Sequence, residues 1–343
     1  MPLIETLIEK LQRHPKRFVF PEGTDPRVLQ AARQIVSRRM GVPVLLGDRP
    51  SIKETAVRLG VSLEGIRLLE PTQSDDFDEF SERLAALRSD QGMRLEDART
   101  AMADPNTFAT MMLARNRVET LVSGATRSTS SALAPLLQVI PRQPGVQTVS
   151  SLLILDFESK GIGIGGVMFL SDCGVLPEPT ALQLADIAMT TASLAHHLTN
   201  AVPRVAFLSF STKGSSDHPV VNRIREATAI AIKKTATLDY AVEIDGEMQV
   251  DAALDPAIAT TKGINGPVAG QANVLIFPDL NTGDTASKLV QIMTGANSYG
   301  HIITGLARPV VEICRGASAH DILGAAAIVG CQAIDRVLLY GVE

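Results

Sequence analysis

Only three cysteines, Cys173, Cys314 and Cys331, are scattered through 343 residues. That is too few for a disulfide scaffold and points to a reducing interior. A basic excess is also missing: 32 Lys and Arg against 37 Asp and Glu leave a net charge of −5. Generic nucleic-acid binding normally shows the opposite balance, so an anionic ligand must be held by a local cluster of cations. No apolar run reaches the roughly 18 residues of a membrane-spanning helix. Glu5, Glu9 and Lys10 interrupt the first segment where a signal peptide would be apolar. Metal-ligand spacing is absent as well. His196 and His197 are adjacent, about 100° apart on a helix, and His218, His301 and His320 have no Cys, His or carboxylate at ligand spacing. No Gly-x-Ser-x-Gly nucleophile elbow occurs.

What is present is apolar material for sizeable cores, at 45% hydrophobic and 20% charged residues. The expectation is a soluble, cytoplasmic chain of about two domains at roughly 150 residues each. Residues 3–11 place Leu3, Ile4, Leu7, Ile8 and Leu11 on one helical stripe. Apolar runs then follow at 17–20, 42–46, 66–69 and 118–122, separated by helix-like stretches at 26–40, 52–59, 77–88 and 95–116. This alternation predicts a parallel sheet covered on both faces. Prolines and a glycine at 141–145 mark a crossing between domains. A second series follows, with strands expected at 151–155, 167–171, 204–209, 240–244 and 273–277. Helices fit at 180–199, 218–236, 251–260 and 285–293, before strands at 302–306 and 309–314 and a final helix from 319 to 330.

Gly161-Ile162-Gly163-Ile164-Gly165-Gly166 satisfies the letters of a dinucleotide fingerprint. Such a loop must open a helix, so that pyrophosphate meets the helix N-terminus. Here the glycines precede the strand at 167–171, so the flanks read as two strands joined by a turn.

The informative loops lie at the expected carboxyl ends of strands, where open α/β sheets bind ligands. In Gly124-Ala125-Thr126-Arg127-Ser128-Thr129-Ser130-Ser131, five hydroxyls, a cation and helix-start amides suit a tetrahedral oxyanion. A plain Ser/Thr helix cap is the competing interpretation. Ser209-Phe210-Ser211-Thr212-Lys213-Gly214-Ser215-Ser216 repeats the theme with one lysine. Cys314-Arg315-Gly316-Ala317-Ser318-Ala319-His320-Asp321 adds a thiol, a guanidinium and a carboxylate within eight residues. Arginine grips phosphate in two prongs and a nearby carboxylate can accept a proton. Together the three loops indicate a phosphorylated anionic ligand.

With these loops laid out, the chain resembles the phosphate acetyl/butyryl transferase family over nearly its whole length. The carriers are Phe20-Pro21-Glu22-Gly23-Thr24-Asp25-Pro26-Arg27, the segment 124–138, and Phe207-Leu208-Ser209-Phe210-Ser211-Thr212-Lys213-Gly214-Ser215. Asp245-Gly246-Glu247-Met248-Gln249-Val250-Asp251-Ala252-Ala253, Ile276-Phe277-Pro278-Asp279-Leu280 and Arg315-Gly316-Ala317-Ser318 complete the set. The resemblance implies two α/β domains of the isocitrate/isopropylmalate-dehydrogenase-like type with an interdomain cleft. It puts residues 1–145 and 310–343 in the first, discontinuous domain and 146–309 in the second. It further implies a homodimer and transfer of an acetyl group between coenzyme A and inorganic phosphate, giving or consuming acetyl phosphate. Coenzyme A enters as substrate, with no metal or other cofactor, and no nucleic acid or membrane partner is implied.

Residue by residue, the resemblance makes Asp321 the base for the coenzyme A thiol and Arg315 the phosphate-binding arginine. Ser128, Thr129 and Lys288 fall near the phosphate or acyl group, Arg88 at the substrate end of the cleft, and Lys213 in a segment that closes over the ligand. Three departures stand at or beside this site. Cys314 occupies a position where the family usually has a serine hydroxyl assisting at the carbonyl, and a thiol is the weaker donor. Ala134 stands where an arginine is common, a loss for which Arg127 is the nearest compensation. Gly283-Asp284-Thr285-Ala286-Ser287-Lys288 replaces the usual Gly-Asn-Ile-x-Tyr-Lys. These departures leave two alternatives to an active acetyltransferase: an acyl-CoA-binding regulatory homologue that does not turn over, and a butyryltransferase-like activity on a longer acyl chain.

Overall fold

Eleven strands occur among the described residues. Four early apolar runs become β1 (Lys16–Phe20), β2 (Gly41–Leu46), β3 (Arg67–Leu69) and β4 (Thr120–Ser123). After them come β5 (Ser150–Asp156), β6 (Val167–Ser171), β7 (Arg204–Leu208), β8 (Glu243–Met248), β9 (Val274–Ile276), β10 (Asn297–Thr304) and β11 (Val310–Glu312). The computed structural model describes residues 3–157, 161–336 and 339. The chain divides into two units, one formed by Ile4–Pro141 with the stretch from Leu306 onward, the other by Arg142–Gly305. The fold class is α/β.

In the first unit the strand order is β3-β2-β1-β4-β11, every pair parallel. The chain winds from β1 outward to β3, then returns to lay β4 on the other side of β1. That reversal is a topological switch point, and open α/β sheets bind ligands in the crevice at the carboxyl ends of strands at such a point. The helix Ala319–Ile334 lies against this sheet and is buried from Ile322 to Ala333, as an all-round apolar helix must be. It sits so close to β1 that a Cβ at Gly330 would stand 3.0 Å from the Phe18 ring. The amphipathic helix Leu3–Arg13 buries Ile4, Leu7, Ile8 and Leu11, the face that its spacing predicts.

In the second unit the order is β10-β5-β6-β9-β7-β8. Here the sheet is mixed: β10 and β6 both run antiparallel to β5. The β5–β6 pair is the hairpin predicted around the glycine run, of which residues 158–160 lie outside the described residues. The dinucleotide reading is thereby set aside, because no helix follows those glycines.

Other boundaries move for local reasons. The single helix expected at 95–116 is two, Leu95–Met102 and Pro105–Ala114. Asp104 caps the second by accepting the N–H groups of Asn106 and Thr107, and proline suits the first helical turn. The helix expected at 251–260 likewise divides into Val250–Leu254 and Pro256–Thr261, with Asp255 capping the latter. The strand expected at 240–244 lies later, at β8, and β10 begins five residues before the expected 302.

Candidate active site

Three neighbouring parallel strands, β1, β4 and β11, release loops at their carboxyl ends, all within the first unit. The β1 loop carries Glu22, Asp25 and Arg27; the β4 loop carries residues 124–128; the β11 loop carries Cys314 and Arg315 and leads to Asp321.

Glu22 is buried, with 8% of its surface exposed, and its carboxylate draws the β4 loop around itself. Gly124 and Ala125 donate their N–H groups to Oε2 at 2.9 and 2.8 Å. Thr126 and Arg127 donate theirs to Oε1 at 2.8 and 3.2 Å, and the Thr126 hydroxyl adds a fifth bond at 3.0 Å. Consecutive N–H groups curled around one point form an anion nest. These four amides precede the helix Thr129–Val139 and are filled by an internal carboxylate; they are distinct from the helix-start amides that suit an oxyanion. Gly124 makes the turn possible at φ +105°, where a Cβ would stand 2.5 Å from the Ile313 carbonyl.

Past this nest, Ser128 caps the helix Thr129–Val139 by accepting the Ser131 N–H. Its side chain is exposed and Thr129 is half-buried at the first helical position, so the cap and a ligand contact are compatible. Arg127 forms an ion pair with Asp104. Ala134 lies on the exposed side of the same helix, and Arg127, tied to Asp104, is no free replacement for the missing cation.

Arg27 joins the three loops. Its Nη1 donates to the carbonyls of Arg315 and Ala317 at 2.5 and 2.9 Å, and its Nη2 to the Ala125 carbonyl at 2.7 Å. Asp25 holds the guanidinium from behind, with Nη2 to Oδ2 at 2.9 Å. Burial pushes the Asp25 carboxyl up, but the bonds from Arg27 and the amides of Arg27 and Val28 outweigh it and lower the pKa. The Arg315 side chain itself is exposed and has no ion-pair partner among the described residues. Cys314 is half-buried. Asp321 sits at the third position of the helix Ala319–Ile334 in a capping box, where its Oδ2 accepts the Ser318 N–H at 2.8 Å and hydroxyl at 2.7 Å. The box fixes the rotamer of this carboxylate.

Arg88 ends the helix Phe77–Leu87, and its Nε is buried without a hydrogen-bond partner among the described residues. Lys213 and Lys288 belong to the other unit. Lys213 pairs with Asp245 and donates to the Gly246 carbonyl at 3.2 Å. Lys288 pairs with Asp284 one helical turn away and stays half-exposed. In the Ser209–Ser216 loop, Ser211 Oγ donates to Glu247 at 3.0 Å and the Gly214 N–H at 2.9 Å, while the Thr212 hydroxyl donates to Gln249 at 3.2 Å. Burial raises the Glu247 carboxyl, but Arg225, Gly214 and Ser211 together bring it to about 2. Glu22, Asp25 and Arg27, which the sequence offers only as part of a motif, tie the three loops together. Their signal was an acidic-basic cluster directly after a buried strand.

A cavity of about 520 Å³ opens elsewhere on the first unit, lined by Arg17, Arg49, Arg67, Arg117, Glu70 and Asp75 among others. Glu119 neutralises Arg17 and Asp76 neutralises Arg117, and none of the expected site residues lines it. Among the described residues no cluster of three His, Cys, Asp or Glu side chains could hold a metal ion. No helix there is long and apolar enough to cross a membrane.

The profile of a family described as "Phosphate acetyl/butaryl transferase" matches residues 2–330. A phosphate acetyltransferase of Thermoanaerobacterium thermosaccharolyticum is 40% identical over 333 residues, 97% of this chain and 100% of that protein. A phosphotransacetylase from Streptococcus pyogenes superposes with a TM-score of 0.87 at 36% identity, covering 97% of this chain and 98% of the other. A 4-hydroxythreonine-4-phosphate dehydrogenase from Klebsiella pneumoniae, at 12% identity and a TM-score of 0.50 over 93% of this chain and 99% of that one, shares the fold alone.

Proposed function

The chain belongs to the phosphate acetyl/butyryl transferase family, and we infer that it moves an acetyl group between coenzyme A and inorganic phosphate. The observation that carries this reading is full-length similarity to phosphate acetyltransferases; Arg315 is exposed in the loop after β11, and Ser128 and Thr129 end the loop after the neighbouring strand β4. Coenzyme A, phosphate and acetyl phosphate are then substrates and products, and no other cofactor enters the proposed reaction.

In one direction the coenzyme A sulfur attacks the carbonyl carbon of acetyl phosphate, the carbon–oxygen bond to phosphate breaks, and phosphate leaves. A free thiol has a pKa near 8.5, so a base speeds formation of the nucleophile. Asp321 supplies that base, held in place through the Oδ2 bonds to Ser318. Arg315 neutralises the charge gathering on the phosphate oxygens, an electrostatic contribution of about 3 kcal/mol in comparable sites. Ser128 and Thr129 hold the anion through their hydroxyls, Cys314 lies beside the reacting carbonyl, and Arg88 is a further cation for substrate. The reverse reaction uses the same groups, with phosphate oxygen attacking acetyl-CoA and the departing thiolate regaining its proton.

A homodimer fits the exposed apolar ridge of the helix Leu280–Thr294, where Leu289, Ile292 and Met293 face outward. A cytoplasmic location fits three cysteines that form no disulfide. The direct test is release of free thiol from acetyl-CoA by the purified protein. Release that depends on phosphate, with arsenate as a substitute, supports the reading; binding of acetyl-CoA without phosphate-dependent release refutes it. Sedimentation of the same protein as a monomer would refute the dimer.

A further inference from the structure

We propose that Glu22 is a positioning residue for this transfer, fixing residues 124–127 in one conformation and denying their N–H groups to phosphate. The proposal rests on the placement of Arg315, Ser128 and Thr129 around the anion. A loop with four converging N–H groups is itself a phosphate trap. Left open, it would hold the substrate at the base of the crevice, away from the exposed guanidinium of Arg315. Glu22 fills the trap from inside the protein with four amide bonds of 2.8–3.2 Å and a hydroxyl bond of 3.0 Å. The substrate anion is left to the hydroxyls of Ser128 and Thr129, which begin directly after the loop, and to Arg315.

The same bonds set the height of that loop. Ser128 follows Arg127, the last donor, so its position at the start of the helix Thr129–Val139 is measured from Glu22. On the other side Gly124 presses against the Ile313 carbonyl, one residue before Cys314. Loss of the carboxylate therefore misplaces both anion-binding loops together.

The test is steady-state kinetics of the full chain carrying Glu22→Gln, Glu22→Ala or Arg315→Ala, alongside its melting temperature. A glutamine keeps the size but offers one acceptor oxygen and turns an NH₂ group toward donors. Glu22→Gln is expected to lower kcat about 100-fold, as misplacement of reacting groups does, while KM for acetyl-CoA moves less than about threefold. Formate at roughly 50 mM is expected to restore Glu22→Ala at least about tenfold by refilling the nest, and to leave the parent unchanged. Destabilisation alone would not respond to formate. A folded Glu22→Gln with kcat within about twofold of the parent overturns the proposal, as does a folded, inactive Glu22→Ala that formate does not restore. If both variants unfold, Thr126→Val decides: a fall in kcat at constant KM supports the proposal and an unchanged kcat overturns it. Arg315→Ala separates the two levels. If it is inactive while Glu22→Gln is not, only the role of Glu22 fails; if it stays active, the site reading falls and this proposal with it.

Discussion

Arg27 and Arg315 are 288 residues apart in the chain, and the guanidinium of one donates to the backbone carbonyl of the other at 2.5 Å. The same guanidinium reaches Ala317, Ala125 and Asp25. Arg27 thus fixes the β11 loop against the β4 loop, and its planar fork is what allows four acceptors at once. Arg27→Lys keeps the charge and loses the fork. It is expected to lower kcat by roughly 10- to 100-fold and the melting temperature by a few degrees, about 4 °C. Calorimetry and initial rates check both.

Asp321 has two roles that mutation separates. As the third residue of the capping box it stabilises the last helix; in the proposed reaction it accepts the thiol proton. Asp321→Asn retains an acceptor oxygen for Ser318 but not the base. It is expected to cut kcat by about 100-fold or more with little change in unfolding midpoint. Ser318→Ala removes the cap and is expected to cost about 1 kcal/mol in stability. Denaturant titrations of the two variants distinguish the roles.

Cys314 stands where the family resemblance drawn from the sequence implies a serine. A hydroxyl is the stronger hydrogen-bond donor, so Cys314→Ser is expected to raise kcat by at least about threefold. Alkylation of the parent, with and without acetyl-CoA, reports in parallel whether the thiol is shielded by substrate.

Glu247 ties the stability of the second unit to pH. Its folded pKa is about 2, against an ordinary value of 4.5. A carboxyl lowered in the folded state contributes stability that is complete above the ordinary value and lost as pH falls toward the folded one. The parent is therefore expected to exceed Glu247→Gln in urea midpoint at pH 6, with the difference shrinking between pH 4.5 and 2. A constant difference across that window contradicts the assigned ion pair with Arg225.

Much of the fold was legible because buried parallel strands read as plain apolar runs. Val44, Leu45 and Leu46, and Leu121 and Val122, announce β2 and β4 on their own. The start of β10 was hidden because Ser298 and His301 are buried polar residues, whose partners the local sequence does not display. The break at Asp104-Pro105 was readable as cap and first-turn proline, and the apolar stretch on either side masked it. At the site, hydroxyls and cations at strand ends pointed to an anion. What sequence could not show was that Glu22, 102 residues from Gly124, already fills the amides of that loop. Charge pattern identifies donors and acceptors; only the fold says which of them are spent on each other.

The most direct measurement is thiol release from acetyl-CoA by the parent and by Arg315→Ala across a range of phosphate concentrations. Saturable dependence on phosphate in the parent, with a loss of about 100-fold or more in kcat/KM for phosphate in the variant, is the expected result. Equal phosphate dependence in both proteins would contradict the account.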